Sequence, residues 1–345
     1  MGRPTINDVA TAAGVSKGAV SFALNDRPGI SPDTRRRILE AVETLGWSPS
    51  SRARALSVSR ALAVGLVIAR PPEVLRADAF FPSFIAGLET ALSPRGHALL
   101  LQVAEHDDHA AYRRLVQEGR VDGVFVTDLQ VDDDRPALLE ELGLPAVVIG
   151  PHLDEVPRAR QSSMGVDDAP GIRAAVEHLI GLGHTRIAHV SGPQHMVHGR
   201  SRRGAWSNAL KGAGLPEGPC VEADFSAESG ARAMRALLDL RDRPTAVVFA
   251  NDLMAMAGMS TAVSRGVVVP DDLSITGFDD VEICAHLQPS LTSVHTDVVA
   301  WGRAAATRLL ALIDDDPDPG PDVLPDARLV VRSSTSHAPD PVRPL

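Results

Sequence analysis

The sequence has 345 residues, of which 44% are hydrophobic and 23% charged. At about 150 residues per domain this length predicts two or three domains, and the composition excludes a wholly disordered chain. The formal net charge of −10 would by itself argue against a protein that binds nucleic acid, because such proteins carry basic patches.

The charge is unevenly distributed along the chain. Residues 1–60 contain nine Lys and Arg against five Asp and Glu, a net charge of +4, and the remainder contains 25 against 39, a net charge of −14. This asymmetry predicts a basic head of about sixty residues on an acidic body.

The sequence has no pattern typical of membrane or secreted proteins. Its longest apolar run, 61–69, has nine residues, whereas a membrane span needs about 18. The N-terminus carries Asp8 and no apolar signal segment. The two cysteines, Cys220 and Cys284, cannot form a disulfide framework. These features predict a cytoplasmic protein.

The head begins with two short predicted helices. The first ends at about Ala13, where Gly14 breaks the pattern, and the second ends at about Leu24. The candidate N-caps are Thr5 or Asn7 for the first helix and Ser16 for the second. A turn of three residues that contains glycine predicts a helix-turn-helix.

The second helix separates its residues into two faces. Val15, Ala19, Val20, Ala23 and Leu24 point inward, and the outer face holds Lys17, Gly18, Ser21, Phe22 and Asn25. Outward residues near the start of such a helix can reach base edges in the major groove. The alternative is a solvated bundle whose outer face binds nothing.

A third helix is predicted to begin at Ser31-Pro32, run to about Leu45 and end at Gly46. The head resembles that of the LacI/GalR (lactose-repressor-like) transcription factors. The matching motifs are Asp8-Val9-Ala10, Ala13-Gly14-Val15-Ser16, Val20-Ser21, Leu24-Asn25, Ser31, Thr34, Arg35, Ile38, Ala41, Leu45, Gly46 and Pro49. The resemblance implies sequence-specific DNA binding through Thr5, Ser16, Lys17, Gly18, Ser21, Phe22, Asn25 and Ser31.

Residues 50–60 correspond to the hinge helix of that family. The resemblance implies that Leu56 inserts into the minor groove and that Arg52 and Arg54 contact phosphates. So short a helix is unstable alone in water, so it is expected to form only when paired with its twin on DNA. The alternative is a plain basic linker.

Phe22 departs from the family pattern. It stands where an arginine usually reads a guanine, whereas a phenyl ring can only contact a thymine methyl group or pack on the helix edge. The operator sequence is therefore expected to differ from the common family sequence.

Strand and helix patterns alternate in the body. Strands are predicted at 62–69, 97–104, 121–127, 145–150, 186–191, 245–249 and 273–278, and helices at about 81–94, 109–119, 168–182, 199–213, 227–240 and 252–265. Continuous apolar strands separated by amphipathic helices indicate parallel sheets covered on both faces. The predicted fold is a small all-α helix-turn-helix head plus an α/β periplasmic-binding-protein-like core of two doubly wound parallel-sheet lobes, as the resemblance also implies.

The predicted domain boundaries follow from this pattern and from the resemblance. The helix-turn-helix domain is 1–49, the hinge is 50–60, and the effector-binding and dimerisation core is 61–345. Lobe 1 is expected at about 61–162 and 294–322, and lobe 2 at about 163–293 and 323–340.

Ligands in such folds bind between the lobes, beyond the carboxyl ends of the strands. The family match includes Gly183-His184, Gly192-Pro193, Arg202 with Gly204 and Trp206, Ala250-Asn251-Asp252 and Gly277-Phe278-Asp279-Asp280. It implies effector contacts from Phe80, Phe81, Gly150, His198, Arg202, Phe225, Asn251, Asp279 and Thr296. Arg202 and Asp279 could instead form only salt bridges within a lobe.

The sequence gives little support for an enzyme, a cofactor site or a metal site. The chain lacks the G-x-S-x-G, G-x-G-x-x-G and Walker A motifs. The pairs His106/His109 and His195/His198 have helical spacing but no third ligand. We therefore predict no catalytic residues, no cofactor and no metal.

These observations predict a transcriptional regulator that represses sugar-utilisation genes. Its partners would be pseudo-palindromic operator DNA, a small-molecule effector, and a second copy of the chain, since the proline-rich C-terminus lacks a tetramerising leucine heptad. The alternatives are a purine- or metabolite-responsive corepressed regulator and a solute-binding protein.

Overall fold

A computed structural model of the chain describes residues 4–24, 28–47, 60–70, 78–104, 108–150, 160–165, 167–316 and 324–339. The chain divides into two units, Met1–Leu62 and Ala63–Leu345. Over these described ranges, none of the helices has the length and apolar character required to cross a bilayer.

The first unit contains three helices in the described residues: α1 (Ile6–Ala13), α2 (Lys17–Leu24) and α3 (Pro32–Thr44). Thr5 and Asp8 form a capping box at the start of α1, and Gly14 ends it at φ +64°. The Ser16 hydroxyl accepts a hydrogen bond from the Ala19 amide at 3.2 Å. The predicted helix-turn-helix is therefore present.

A small apolar core holds these three helices together. It is formed by Val9, Ala10, Ala13, Val20, Ala23, Ile38 and Ala41, with Trp47 and other residues packed at its edge. Val9, Val20 and Ile38 are fully buried and come from the three different helices. The inward face predicted for α2 is the face that packs, so its other face is turned outward.

The second unit alternates strands and helices. Its strands are β1 (Ala63–Ile68), β2 (Ala98–Val103), β3 (Gly123–Val126), β4 (Ala146–Gly150), β5 (Gln161–Gly165), β6 (Ile187–Ser191), β7 (Cys220–Glu222), β8 (Ala246–Phe249), β9 (Ser274–Asp279), β10 (Thr292–His295) and β11 (Arg328–Val330). Its α-helices are α4 (Phe80–Leu92), α5 (Asp108–Gln117), α6 (Arg135–Glu141), α7 (Ala169–Gly181), α8 (Val197–Gly212), α9 (Ala227–Leu238), α10 (Asp252–Ser264) and α11 (Val298–Ile313).

The strands form two sheets, which define two lobes. The first sheet has the order β2-β1-β3-β4-β5 and is parallel throughout. The second has the order β11-β10-β9-β8-β6-β7, in which β11 runs antiparallel to β10 and the other pairs are parallel. The predicted fold class is confirmed, with one antiparallel edge strand that the sequence patterns did not indicate.

Helices cover both faces of the first sheet. Helices α4 and α11 share one apolar cluster with β1, β3 and β4, and α5 and α6 pack on the opposite face. Glycine at position 302 allows α4 and α11 to cross closely. A Cβ at this position would lie 2.2 Å from the Phe84 carbonyl oxygen. This crossing places the start of α11, with Trp301, beside the start of α4.

The second sheet is covered in the same way. Helices α9 and α10 pack on one face, around Phe249 and Met254, and α7 and α8 pack on the other, around Trp206 and Phe278. Burial on both faces explains why its central strands are apolar along their whole length.

Candidate functional site

A cavity of about 770 Å³, including open solvent at its mouth, lies at the carboxyl ends of the strands in the body. The lining residues come from both lobes and are Arg70, Asp78, Phe80, Thr127, Asp128, Leu129, Ile149, Gly150, Asp168, Val197, His198, Arg202, Phe225, Asn251, Asp279, Thr296, Val298 and Trp301.

The two lobes are hydrogen-bonded to each other at one side of this cavity. The Val131 amide donates to the His195 carbonyl and the Val197 amide donates to the Leu129 carbonyl, each at 2.8 Å. These bonds join the segment that follows β3 to the segment that precedes α8. Because the lining residues come from both lobes, a ligand in the cavity would contact both lobes.

Arg202 is held rigidly in the second lobe. Its Nε donates to Asp168 at 2.8 Å, and its Nη1 donates to the Ala250 carbonyl at 2.5 Å. Its guanidinium carbon lies 3.7 Å from the centroid of the Phe278 ring. Both members of the ion pair are buried. Such fixed groups can direct their remaining hydrogen-bonding sites at a ligand without further loss of side-chain freedom.

A second buried arginine lies in the first lobe. Arg70 donates from Nε and Nη2 to the two oxygens of Asp128, at 2.6 and 2.5 Å, and from Nη1 to Asp78 at 2.7 Å. Its guanidinium carbon is 5.6 Å from the ring centroids of both Phe81 and Phe225. Because Phe225 belongs to the second lobe, Arg70 also contacts the opposite side of the cavity.

Phe225 contributes an aromatic ring to the cavity lining, with 5% of the residue exposed. Its backbone has a φ of +68°, and the Asn251 side-chain amide donates to its carbonyl at 3.0 Å. The His198 ring stacks on it with centroids 5.3 Å apart and planes at 20°. Flat aromatic rings are suited to the apolar face of a sugar.

Asn251 and Asp279 project from the ends of β8 and β9. The Asn251 side-chain oxygen accepts from the Met254 amide at 3.0 Å, which caps α10. Asp279 has a φ of +111°, and its carboxylate has no hydrogen-bond partner among the described residues. Asp279 therefore retains its acceptor oxygens for a ligand.

Burial shifts the pKa of two side chains in the cavity lining, Asp279 and His198. It raises the pKa of Asp279 well above the usual value; Arg202 lowers this pKa, but Asp252 and other carboxylates raise it further. Burial also lowers the pKa of His198 to about 3, an effect that Arg202 reinforces. His198 is therefore neutral at physiological pH.

The structure places eight of the nine predicted effector residues in the cavity lining: Phe80, Gly150, His198, Arg202, Phe225, Asn251, Asp279 and Thr296. The ninth residue, Phe81, is not part of this lining. Phe81 is 1% exposed and packs in the core of the first lobe, because it lies one residue further along α4 than Phe80 and faces the sheet.

Sequence reasoning missed several lining residues, among them Arg70, Asp78, Asp128, Asp168 and Trp301. Arg70 and Asp128 are 58 positions apart, so no local spacing relates them. The one signal available was position, since Arg70 and Asp128 each follow a predicted strand of the first sheet by one or two residues.

The outer face of α2 forms a separate candidate surface for DNA. Lys17, Gly18 and Phe22 are exposed, Phe22 by 42% of its surface. Thr5, Ser16 and Ser31 are also exposed, and their side chains take part in helix capping. Asn25, Arg52, Arg54 and Leu56 lie outside the described residues.

Comparison with known proteins identifies the family. Residues 5–50 match the family described as bacterial regulatory proteins, lacI family, and residues 176–335 match the periplasmic binding protein-like domain. The HTH-type transcriptional regulator CelR of Thermobifida fusca is 35% identical over 338 residues, which cover 96% of this chain and 98% of CelR. The chain belongs to the LacI family.

Other relatives span both halves of this LacI-family regulator. The HTH-type transcriptional repressor PurR of Aliivibrio salmonicida is 32% identical over 322 residues, 90% of this chain and 92% of PurR. The alignments with these transcriptional regulators cover nearly the whole of both proteins. The family membership predicted from the head is therefore confirmed.

Solved structures agree with this assignment. A transcriptional regulator CelR–cellobiose complex aligns with a TM-score of 0.72 at 34% identity, over 96% of this chain and all of that chain. A lac repressor dimer bound to operator and the anti-inducer ONPF aligns with a TM-score of 0.80 at 27% identity, over 97% of this chain and all of that chain.

Substitution of Gly192 in the regulator is expected to disturb the aromatic face of the cavity. A Cβ at this position would lie 2.0 Å from Cζ of Phe225, so Gly192→Ala must displace the ring. We expect effector affinity to fall about tenfold or more. Calorimetric titration measures this change, and Gly181→Ala is the matched control because a Cβ at that glycine would meet no heavy atom within 4 Å. Equal affinities of the two variants would contradict the assigned role of Phe225.

Proposed function

We propose that the protein is a repressor of sugar-utilisation genes whose affinity for operator DNA is controlled by a sugar bound between the lobes. The observation that carries the sugar assignment is the composition of the cavity. It combines the rigid Arg202–Asp168 and Arg70–Asp128 pairs with the Asn251 amide and the Phe225 ring. Fixed donors and acceptors beside an aromatic face are suited to the hydroxyl groups and the apolar face of a sugar.

The structural relatives support the same effector class. The CelR complex contains cellobiose, and this chain resembles CelR over nearly all of its length. We therefore propose a disaccharide or short oligosaccharide as effector, with cellobiose as the first to be tested.

We propose residues 1–49 as the DNA-binding domain, 50–60 as the hinge, and the remainder as an effector-binding core that forms a homodimer. A two-fold dimer would place two heads on the half-sites of a pseudo-palindrome, and the lac repressor structure is of a dimer on operator. This function places the protein in the cytoplasm and requires no catalytic step.

Binding of DNA with and without effector tests the proposal. An operator would be selected from random duplexes with the full-length protein, and its affinity measured by fluorescence anisotropy with cellobiose, maltose, lactose or hypoxanthine present. We expect one of the sugars to weaken operator binding about tenfold or more, within the usual range of allosteric coupling. A response to hypoxanthine alone would show that the effector is a purine and not a sugar. Failure to select any DNA sequence would contradict the proposed function as a DNA-binding regulator.

Phe22 provides a test of base reading. We expect Phe22→Arg to change the preferred base at one operator position, because an arginine can contact a guanine in a bidentate manner whereas a phenyl ring cannot. Affinity for random DNA should change less. Selection and sequencing of bound duplexes measures the preference, with Leu39→Arg as control, since it adds the same charge at an exposed site on α3. An unchanged preference in Phe22→Arg would remove Phe22 from the reading surface.

A further inference from the structure

We infer that the cavity selects uncharged sugars and rejects their phosphorylated forms. This inference rests on the proposed function and narrows its effector class. It is carried by two features of the described residues: the arginines are already paired, and the carboxylates outnumber the guanidinium groups. Side chains bound to first-turn amides of three nearby helices act in the same direction.

The first feature concerns Arg70. Three of its five N–H groups donate to Asp128 and Asp78, and the side chain is 6% exposed. A phosphate that approached Arg70 would have to displace a carboxylate or lie beside two of them. The remaining N–H groups can still donate to a neutral hydroxyl group.

Arg202 is paired in the same manner. It donates to Asp168 and to the Ala250 carbonyl, and its flat face lies on Phe278. Among the described lining residues, Arg202 and Arg70 are the only arginines or lysines. The described part of the cavity therefore offers no unpaired cation to an anionic group.

Helix N-termini commonly bind phosphate through their free amides. Side chains bind one amide at the start of three helices beside this cavity, whereas α8, whose Val197 and His198 line the cavity, has no side-chain cap. Asp78 accepts from the Phe80 amide at 2.9 Å at the start of α4, and Asp297 accepts from the Ala300 amide at 2.8 Å at the start of α11. Asn251 caps α10. Asp78 and Asp297 each bind one amide of their helix, and a carboxylate at that position disfavours a second anion there.

The overall charge of the lining has the same consequence. The described lining residues include four carboxylates, Asp78, Asp128, Asp168 and Asp279, against the two guanidinium groups, and His198 is neutral. The formal charge is therefore −2, before any protonation of Asp78 or Asp279. Like charges brought together at a desolvated site repel each other strongly, because water no longer screens them.

The selectivity places a constraint on the supply of the effector. A sugar that enters the cell with concomitant phosphoryl transfer would arrive in the rejected form. The effector must therefore reach the cavity unphosphorylated, as a product of glycosidic hydrolysis or of uptake without phosphorylation would.

The test compares a sugar with its phosphate ester on the full-length protein. Calorimetric titration of cellobiose and cellobiose 6′-phosphate is expected to give affinities that differ by about 100-fold or more in favour of cellobiose. Equal affinities, or tighter binding of the phosphorylated sugar, would overturn the inference.

A substitution tests whether charge is the cause. Asp78→Asn removes one carboxylate and leaves the bidentate Arg70–Asp128 pair in place. In this variant we expect the ratio of the affinities for cellobiose and cellobiose 6′-phosphate to fall about tenfold. We also expect about 10 mM inorganic phosphate to raise its Tm by about 2 °C. The wild-type protein and Asp242→Asn, which removes an exposed aspartate, should show no such rise.

The phosphate measurement separates the two proposals. If neither sugar binds but Asp78→Asn gains phosphate binding, cellobiose is not the effector and anion rejection still holds. If phosphate stabilises the wild-type protein, or fails to stabilise folded Asp78→Asn, charge does not govern the cavity and the inference is wrong. Circular dichroism confirms that the variant is folded.

Discussion

Arg202→Ala is expected to abolish the response of the repressor to its effector and to lower the free energy of unfolding of the body by about 3–5 kcal/mol. The effector loses a rigid donor, since the Arg202 guanidinium lines the cavity. Stability falls because Asp168 loses its partner at 2.8 Å while it remains buried. An unpaired buried carboxylate costs more than the ion pair contributed.

Two further variants separate these effects. Arg203→Ala removes the neighbouring exposed arginine of α8 and should retain both stability and response. The double variant Arg202→Ala/Asp168→Ala should recover part of the stability, because no unpaired charge is left, but not the response. Urea unfolding measures stability, and operator anisotropy with effector measures the response. A normal response in Arg202→Ala would exclude Arg202 from the effector site.

Asp279→Asn is expected to act in opposite directions on stability and on effector affinity. Burial raises the pKa of Asp279, so its charged form opposes folding. The amide removes this cost and should raise the free energy of unfolding at neutral pH by about 1 kcal/mol. Effector affinity should fall about 10- to 100-fold, because a carboxylate that accepts sugar hydroxyls forms stronger hydrogen bonds than an amide.

The sign of the pH dependence follows from the same shift. With a raised pKa in the folded state, Asp279 binds more protons in the folded than in the unfolded protein at pH values between the two pKa values. The contribution of Asp279 to the free energy of unfolding of the wild-type protein therefore decreases as the pH rises above about 4. It becomes constant above the pKa that Asp279 has in the folded state. The advantage of Asp279→Asn over wild type should be largest at neutral pH and vanish below about pH 4.

Urea unfolding of both proteins at several pH values tests this expectation. The control is Asp271→Asn, an exposed aspartate in the loop before β9, which should leave the pH profile unchanged. If Asp279→Asn is less stable than wild type at neutral pH, the carboxylate is needed for folding rather than held ready for a ligand.

Much of the fold could be predicted from periodicity. The patterns predict a strand at 62–69, where β1 spans Ala63–Ile68, and a helix at 227–240, where α9 spans Ala227–Leu238. Helix α11, at Val298–Ile313, was missed. It is buried on several sides, so it lacks the polar stripe by which amphipathic helices are recognised. Strand β5, at Gln161–Gly165, is short and polar, and only its pairing with β4 makes it a strand.

The residues of the candidate site also divide into those that the sequence predicts and those that only the packing of the fold decides. Asn251, Asp279 and Phe225 could be predicted because each follows a strand of the sheet or matches a family motif in the sequence. Phe80 could not be distinguished from Phe81, since one residue along a helix turns a side chain by about 100° and only the packing of α4 decides which one enters the cavity.

The sequence by itself determined that a basic helix-turn-helix precedes an acidic α/β body, because charge segregation and hydrophobic periodicity are local properties of the chain. Tertiary structure alone decided the pairing of charges in the cavity. Arg70 and Asp128 are 58 positions apart, and Arg202 and Asp168 are 34 apart. Whether an arginine offers a free charge or a neutralised one depends on which carboxylate the fold brings within 3 Å, and burial then determines how strongly that pair acts on a ligand.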